Sequence, residues 1–190
     1  MEKFVLGLMI SAGLLGATTV VANADTTGSS TGDVTFTGGT LSMSVDATNL
    51  AFGSNTISSS DATLATSSTP TVTVSDLRGT SAGWNLTVAQ GQQFNTALNG
   101  TGSALINAAL TVAGTESDSA VTNGSTTLTP GTTSAAGAAG TVASAKNGTG
   151  NGASTVTFSD SKLAVPGKTT KLATGYTTTL TWNLNDTPGN

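Results

Sequence analysis

Tyr176-Thr177-Thr178-Thr179-Leu180-Thr181-Trp182-Asn183-Leu184-Asn185-Asp186 is the stretch on which the fold turns. Tyr176, Thr178, Leu180, Trp182 and Leu184 share one parity, and Thr or Asn fills the other. Such alternation sends one set of side chains to a buried face and the other to water, as in a half-buried strand. Thr suits the outward set because β-branching favours a pleated surface. The same period recurs upstream: Val34 and Phe36; Leu41, Met43 and Val45; Val72 and Val74; Trp84, Leu86 and Val88; Val156 and Phe158. Sheets with one wet face are antiparallel rather than built from βαβ units. Asn-Gly pairs at 99–100, 123–124, 147–148 and 151–152 supply loop or hairpin signals, since both residues tolerate positive φ. The expected fold is all-β, an antiparallel β-sandwich of short Thr-rich strands.

Two stretches break the pattern. Residues 104–112 (ALINAALTV) fit a short helix or a strand preceded by a turn, and strand is the reading adopted. Residues 114–153 are crowded with Gly, Ser, Thr and Ala and almost lack large apolar side chains. They read as a flexible, low-complexity excursion from the sheet. Alternation resumes at Val156, so residues 25–190 are expected to form a single domain.

The start of the chain reads differently. Lys3, the apolar run Phe4–Val21 and the small-x-small tripeptide Ala22-Asn23-Ala24 have the form of a secretory signal over residues 1–24, cleaved before Asp25. Glycines and threonines interrupt the run, which argues against a retained membrane anchor. Export without a single cysteine excludes a disulfide scaffold. Packing and backbone pairing must then hold the domain.

Composition also narrows the chemistry. Without Cys or His the usual zinc and copper sites are absent, and no cofactor is expected. Charged residues make up 8% of the chain, too few for the clustered cations that nucleic acid requires. Arg78 is the lone cation among residues 25–125, whereas Lys146, Lys162, Lys168 and Lys171 lie in the C-terminal third. Those lysines read as solubility charges more readily than as contacts to anionic wall polymers. A glycosidase needs two carboxylic groups. Glu116 is the one Glu after the leader, and it falls in the low-complexity stretch. Ser159-Asp160-Ser161-Lys162 matches S-x-x-K by chance, because it follows a strand and lacks the partner elements. No catalytic function is expected.

Trp-Asn-Leu occurs twice, at 84–86 and 182–184, and these are the only tryptophans. Each lies in a longer block. One is Asp76-Leu77-Arg78-Gly79-Thr80, followed by Gly83-Trp84-Asn85-Leu86. The other is Tyr176 with Leu180-Thr181-Trp182-Asn183-Leu184, then Asp186 and Pro188. With Phe36–Leu41 and Leu50-Ala51-Phe52-Gly53, these blocks resemble the WxL-domain family of Gram-positive surface proteins, from Asp33 to Pro188 outside 114–153.

That resemblance implies a secreted protein on the cell surface, held non-covalently to the wall with peptidoglycan as ligand. It also implies partner surface proteins of the same system. The sequence carries no L-P-x-T-G signal and no C-terminal apolar tail, which fits non-covalent attachment. The alternative is an interaction subunit that docks onto a partner surface protein, with the partner making the wall contact. Candidate contact or motif residues are Asp76, Arg78, Trp84, Asn85, Leu86, Tyr176, Trp182, Asn183 and Leu184. The indoles could stack on sugars or a partner, but their parity places them with the apolar face. A core Trp182 cut to alanine would cost roughly 3–5 kcal/mol. Asp76 and Arg78 share a face, and a structural ion pair is favoured over an Arg78 fork that grips a wall carboxylate or phosphate.

Overall fold

The computed structural model describes residues 27–46 and 48–189. The leader expected over 1–24 lies outside the described residues. Two compact units divide the chain, one ending at Thr35 and one spanning Phe36–Asn190. In the first, residues 27–35 are exposed and carry no regular structure.

Strands in chain order are β1 (Leu41–Val45), β2 (Ala62–Ala65), β3 (Thr71–Asp76), β4 (Trp84–Gln90), β5 (Ala109–Ala113), β6 (Val121–Asn123), β7 (Ser125–Leu128), β8 (Gly140–Ala145), β9 (Gly152–Thr157), β10 (Lys162–Val165) and β11 (Leu180–Asn185). No helix occurs among the described residues. The strands form three sheets, ordered β1-β3-β9, β2-β10-β5-β7 and β11-β4-β8-β6. Every pairing is antiparallel. The all-β antiparallel class is therefore as expected, arranged in three sheets. One apolar core joins them: Val72 and Val74 from β3, Trp84, Leu86 and Val88 from β4, Leu110 and Val112 from β5, Val142 from β8 and Val156 from β9, with Phe158 just beyond it. Inward positions along β3 and β4 are buried and alternate with half-buried outward ones.

Residues 104–112 resolve into both of the parts considered. Ala104 bridges Asn95, a turn follows with Asn107 at φ 63°, and β5 then runs from Ala109. The DVTFTG run is not a strand. Val34 and Phe36 are 76% and 89% exposed, and no neighbouring strand pairs with this segment.

Residues 114–153 also depart from expectation, since β6, β7 and β8 all lie within them. β8 is poor in large apolar side chains because its neighbours demand small ones. β8 lies between β4 and β6, with Ala143 opposite Leu86 and Ala145 opposite Trp84, and both alanines are fully buried. Asn123-Gly124 is likewise no hairpin turn. It is where the chain leaves β6 in one sheet and enters β7 in another, with Gly124 N–H donating to the Val142 carbonyl.

Candidate functional site

The two Trp-Asn-Leu motifs lie on neighbouring strands. In the β4–β11 ladder, Leu86 faces Leu184, Asn85 faces Asn185 and Thr87 faces Asn183. Antiparallel pairing brings the two leucines together and sends the two tryptophans toward opposite ends, where they have different fates.

Trp84 is completely buried, and its indole N–H donates to the Gly150 carbonyl at 3.0 Å. Gly150 has φ +73°, and a Cβ there would sit 2.7 Å from the indole nitrogen and against Ala145. Only glycine meets both demands. Leu86 is equally buried, whereas Asn85 is half-buried with its Oδ1 enclosed and unpartnered. Trp84 and Leu86 thus have no surface with which to touch a ligand.

Asp76 ends β3 inside the core and meets Arg78 as a bidentate pair. Arg78 Nε donates to Oδ1 at 2.9 Å and Nη2 to Oδ2 at 2.7 Å. Nη2 also donates to the Gly83 carbonyl at 2.7 Å, and the Arg78 backbone N–H donates to Oδ1. The pair thereby fixes the Arg78–Gly83 loop that leads into Trp84, and most of the guanidinium fork is used inside the protein.

The guanidinium bond holds the Asp76 carboxyl below its usual 3.8, against a smaller opposing effect of burial. That is opposite to the raised carboxyl pKa that a general acid needs. A depressed folded value means the pair's contribution is complete above the unfolded value. It is lost as pH falls through the folded one. The gap in melting temperature between wild type and Asp76→Asn should therefore shrink as pH drops below about 4. A constant gap would show that the charge on Asp76 is not what stabilises.

Trp182 is half-buried, with its ring centroid 4.7 Å from that of Phe158 and the planes at 49°. It shares its face with half-buried Leu180 and Leu184, while Asn183 is exposed. Trp182 lines two openings. One is a slot of about 600 Å³ between β1 and β11, with Leu41, Ser42 and Met43 on one side, Trp182–Asp186 on the other, and Arg78 at its lining. The second is a groove of about 1330 Å³ whose walls are the 45–60 and 171–178 segments. Phe52, Phe94, Phe158, Tyr176 and Trp182 all line this groove, with Ser, Thr and Asn among its other lining residues. Phe52 and Phe94 meet edge to face at 6.2 Å. Among the described residues no cluster of three or more His, Cys, Asp or Glu could hold a metal ion.

Two side chains brace the groove. The Tyr176 hydroxyl accepts a hydrogen bond from Leu172 N–H at 2.8 Å, which closes the 172–176 loop. Lys171 Nζ lies 3.1–3.3 Å from the carbonyls of Ser58, Pro166, Gly167 and Thr169. The ammonium thus ties one wall to the other. Lys171→Met should cost about 1.5–3 kcal/mol, the range for hydrogen bonds to charged groups. It should also speed amide exchange in the 50–60 segment, and unchanged exchange there would rule out the bracing role.

Of the residues singled out by sequence, the structure brings Arg78, Trp182, Asn183 and Leu184 together at the slot and Tyr176 and Trp182 at the groove. Asp76, Trp84 and Leu86 are core, and Asn85 stands apart from both openings. Sequence reasoning gave no functional weight to Phe94 or Phe158 and read Lys171 as a solubility charge. Isolated aromatics and a lone lysine carry no local signal of the groove they build.

The chain matches a protein family described as WxL domain surface cell wall-binding, over residues 18–188. No curated protein and no solved structure matches it.

Proposed function

Because the chain belongs to the WxL domain surface cell wall-binding family, it is a cell-surface protein attached non-covalently to the wall, and we propose that it holds peptidoglycan in the aromatic groove beside Trp182. The family is one of binding domains. The non-catalytic reading of this chain accords with that and with an Asp76 carboxyl committed to Arg78.

The groove carries the proposal. Half-buried Phe52, Tyr176 and Trp182 offer flat apolar faces backed by buried Phe94 and Phe158, and hydroxyls and amides make up most of the polar lining, with Asp46 and Lys171 as its charged members. Sugar rings present apolar faces for stacking and hydroxyl edges for hydrogen bonds. An uncharged polysaccharide backbone therefore suits this lining better than a polyanion does. Half-buried Tyr176 and Trp182 are suited to such contact, since each is braced from behind yet keeps accessible surface. Lys146, Lys162 and Lys168 are exposed and none of them lines the groove, while Lys171 is engaged by backbone carbonyls.

Sedimentation of the purified protein with peptidoglycan, with and without teichoic acids, tests this. Co-sedimentation with the stripped polymer supports the reading. Sedimentation only when teichoic acids are present would move the contact to charge. Failure with both would favour a subunit that reaches the wall through a partner surface protein.

A further inference from the structure

We propose that the slot between β1 and β11 accepts an extended strand from a second copy of this chain, namely its Asp33–Thr37 segment. β1 and β11 are both edge strands. The β1–β3 ladder includes Asp46 N–H to the Thr71 carbonyl and Leu77 N–H to the Thr40 carbonyl. Even positions of β1 therefore bond to β3, and the backbone groups of Leu41, Met43 and Val45 point away from it. Gly91 N–H bonds the Thr179 carbonyl at the start of the β4–β11 ladder. Odd positions of β11 thus bond to β4, and the backbones of Leu180, Trp182 and Leu184 point outward. Two rows of free donors and acceptors line one slot, with half-buried apolar side chains beside them. A free edge of this kind is a template for strand addition.

The donor is the exposed DVTFT run. Val34 and Phe36 have the period-two spacing of a strand and are the two most exposed large apolar side chains described. A strand paired antiparallel with β1, with Phe36 opposite Leu41, places Val34 opposite Met43. Both apolar side chains of the donor then meet apolar lining, and its threonines face outward. Gly39 N–H donates to the Leu77 carbonyl at 2.7 Å, and Gly38 packs on the Arg78 carbonyl. Gly38 and Gly39 thus continue the chain alongside the residues that follow β3. Exchange of such an element between copies is a low-cost route to assembly.

Light scattering on the chain as secreted by its host, run as a concentration series beside Phe36→Asp, tests the proposal. Phe36 is 89% exposed, so this variant should keep its melting temperature. Wild type is expected to form dimers or longer assemblies, and Phe36→Asp to raise the dissociation constant at least tenfold. A synthetic peptide spanning residues 32–38 should bind the Phe36→Asp chain, whose slot is empty, and shift its fluorescence through Trp182. A wild type that stays monomeric overturns the proposal, even if residues 33–37 resist proteolysis, because closure within one molecule would account for that. Assembly undiminished in Phe36→Asp overturns it as well.

Discussion

Trp84→Ala is expected to lower the stability of the domain by about 3–5 kcal/mol, the range for truncating a buried tryptophan. At roughly 2–4 °C per kcal/mol for a chain of this size, the melting temperature should fall by about 6–20 °C. The surroundings of the indole set this cost. It has no solvent exposure, and alanines and a glycine have been left small around it. Ala145 is held on the β4–β8 ladder and cannot collapse into the void, and an uncollapsed cavity gives the upper end of the range. Trp84→Phe isolates the polar part. It fills most of the space but leaves the Gly150 carbonyl without its donor at 3.0 Å, worth about 1–3 kcal/mol for a buried acceptor. Denaturant titration checks both. A loss under 1 kcal/mol for Trp84→Ala would show that the β8 side of the sheet can close over the gap, a result at odds with close packing there.

How much of this was legible in the sequence follows from side-chain size. Where alternation used large residues, as in Leu41–Val45, Val72–Val74, Trp84–Val88 and Leu180–Leu184, the strands lie where the pattern put them. Where the partner across the sheet is Trp84, the pattern inverts. β8 carries Ala145 opposite Trp84 and Ala143 opposite Leu86, and composition alone reads a strand of such small residues as a linker. The DVTFTG run fails in the opposite way, since a strand-like pattern has no paired strand among the described residues. The two tryptophans illustrate the limit for the candidate site. Their tripeptides are identical and parity assigns both to the apolar face. Yet β4 is flanked by β11 and β8, while β11 is an edge. Sheet order is a long-range property, so burial of the first motif and partial exposure of the second had no local signature. The groove was hidden for the same reason: Phe52, Phe94, Phe158 and Tyr176 are brought together only by the fold.

That difference in sheet order sets the expected behaviour of Trp182→Ala, which should weaken peptidoglycan binding by at least about 30-fold. This corresponds to about 2 kcal/mol, the threshold for a dominant aromatic contact. The indole lines both openings and stacks on fully buried Phe158. Its orientation is therefore set by the core while part of its surface stays accessible, and little ordering entropy is lost when a ligand arrives. Half-burial also means that its removal should cost less stability than removal of Trp84, below the 3–5 kcal/mol of a core tryptophan. The two variants should consequently separate. Trp84→Ala loses stability but, where still folded, keeps its binding constant, because its indole touches nothing outside the core. Trp182→Ala keeps most of its stability and loses affinity. Trp182→Phe retains an aromatic face over Phe158 and should recover most of the binding. Isotherms measured well below each variant's melting transition check this, with circular dichroism confirming the folded fraction. If affinity in both variants simply follows the fraction folded, the groove is not the contact surface and Trp182 serves packing alone.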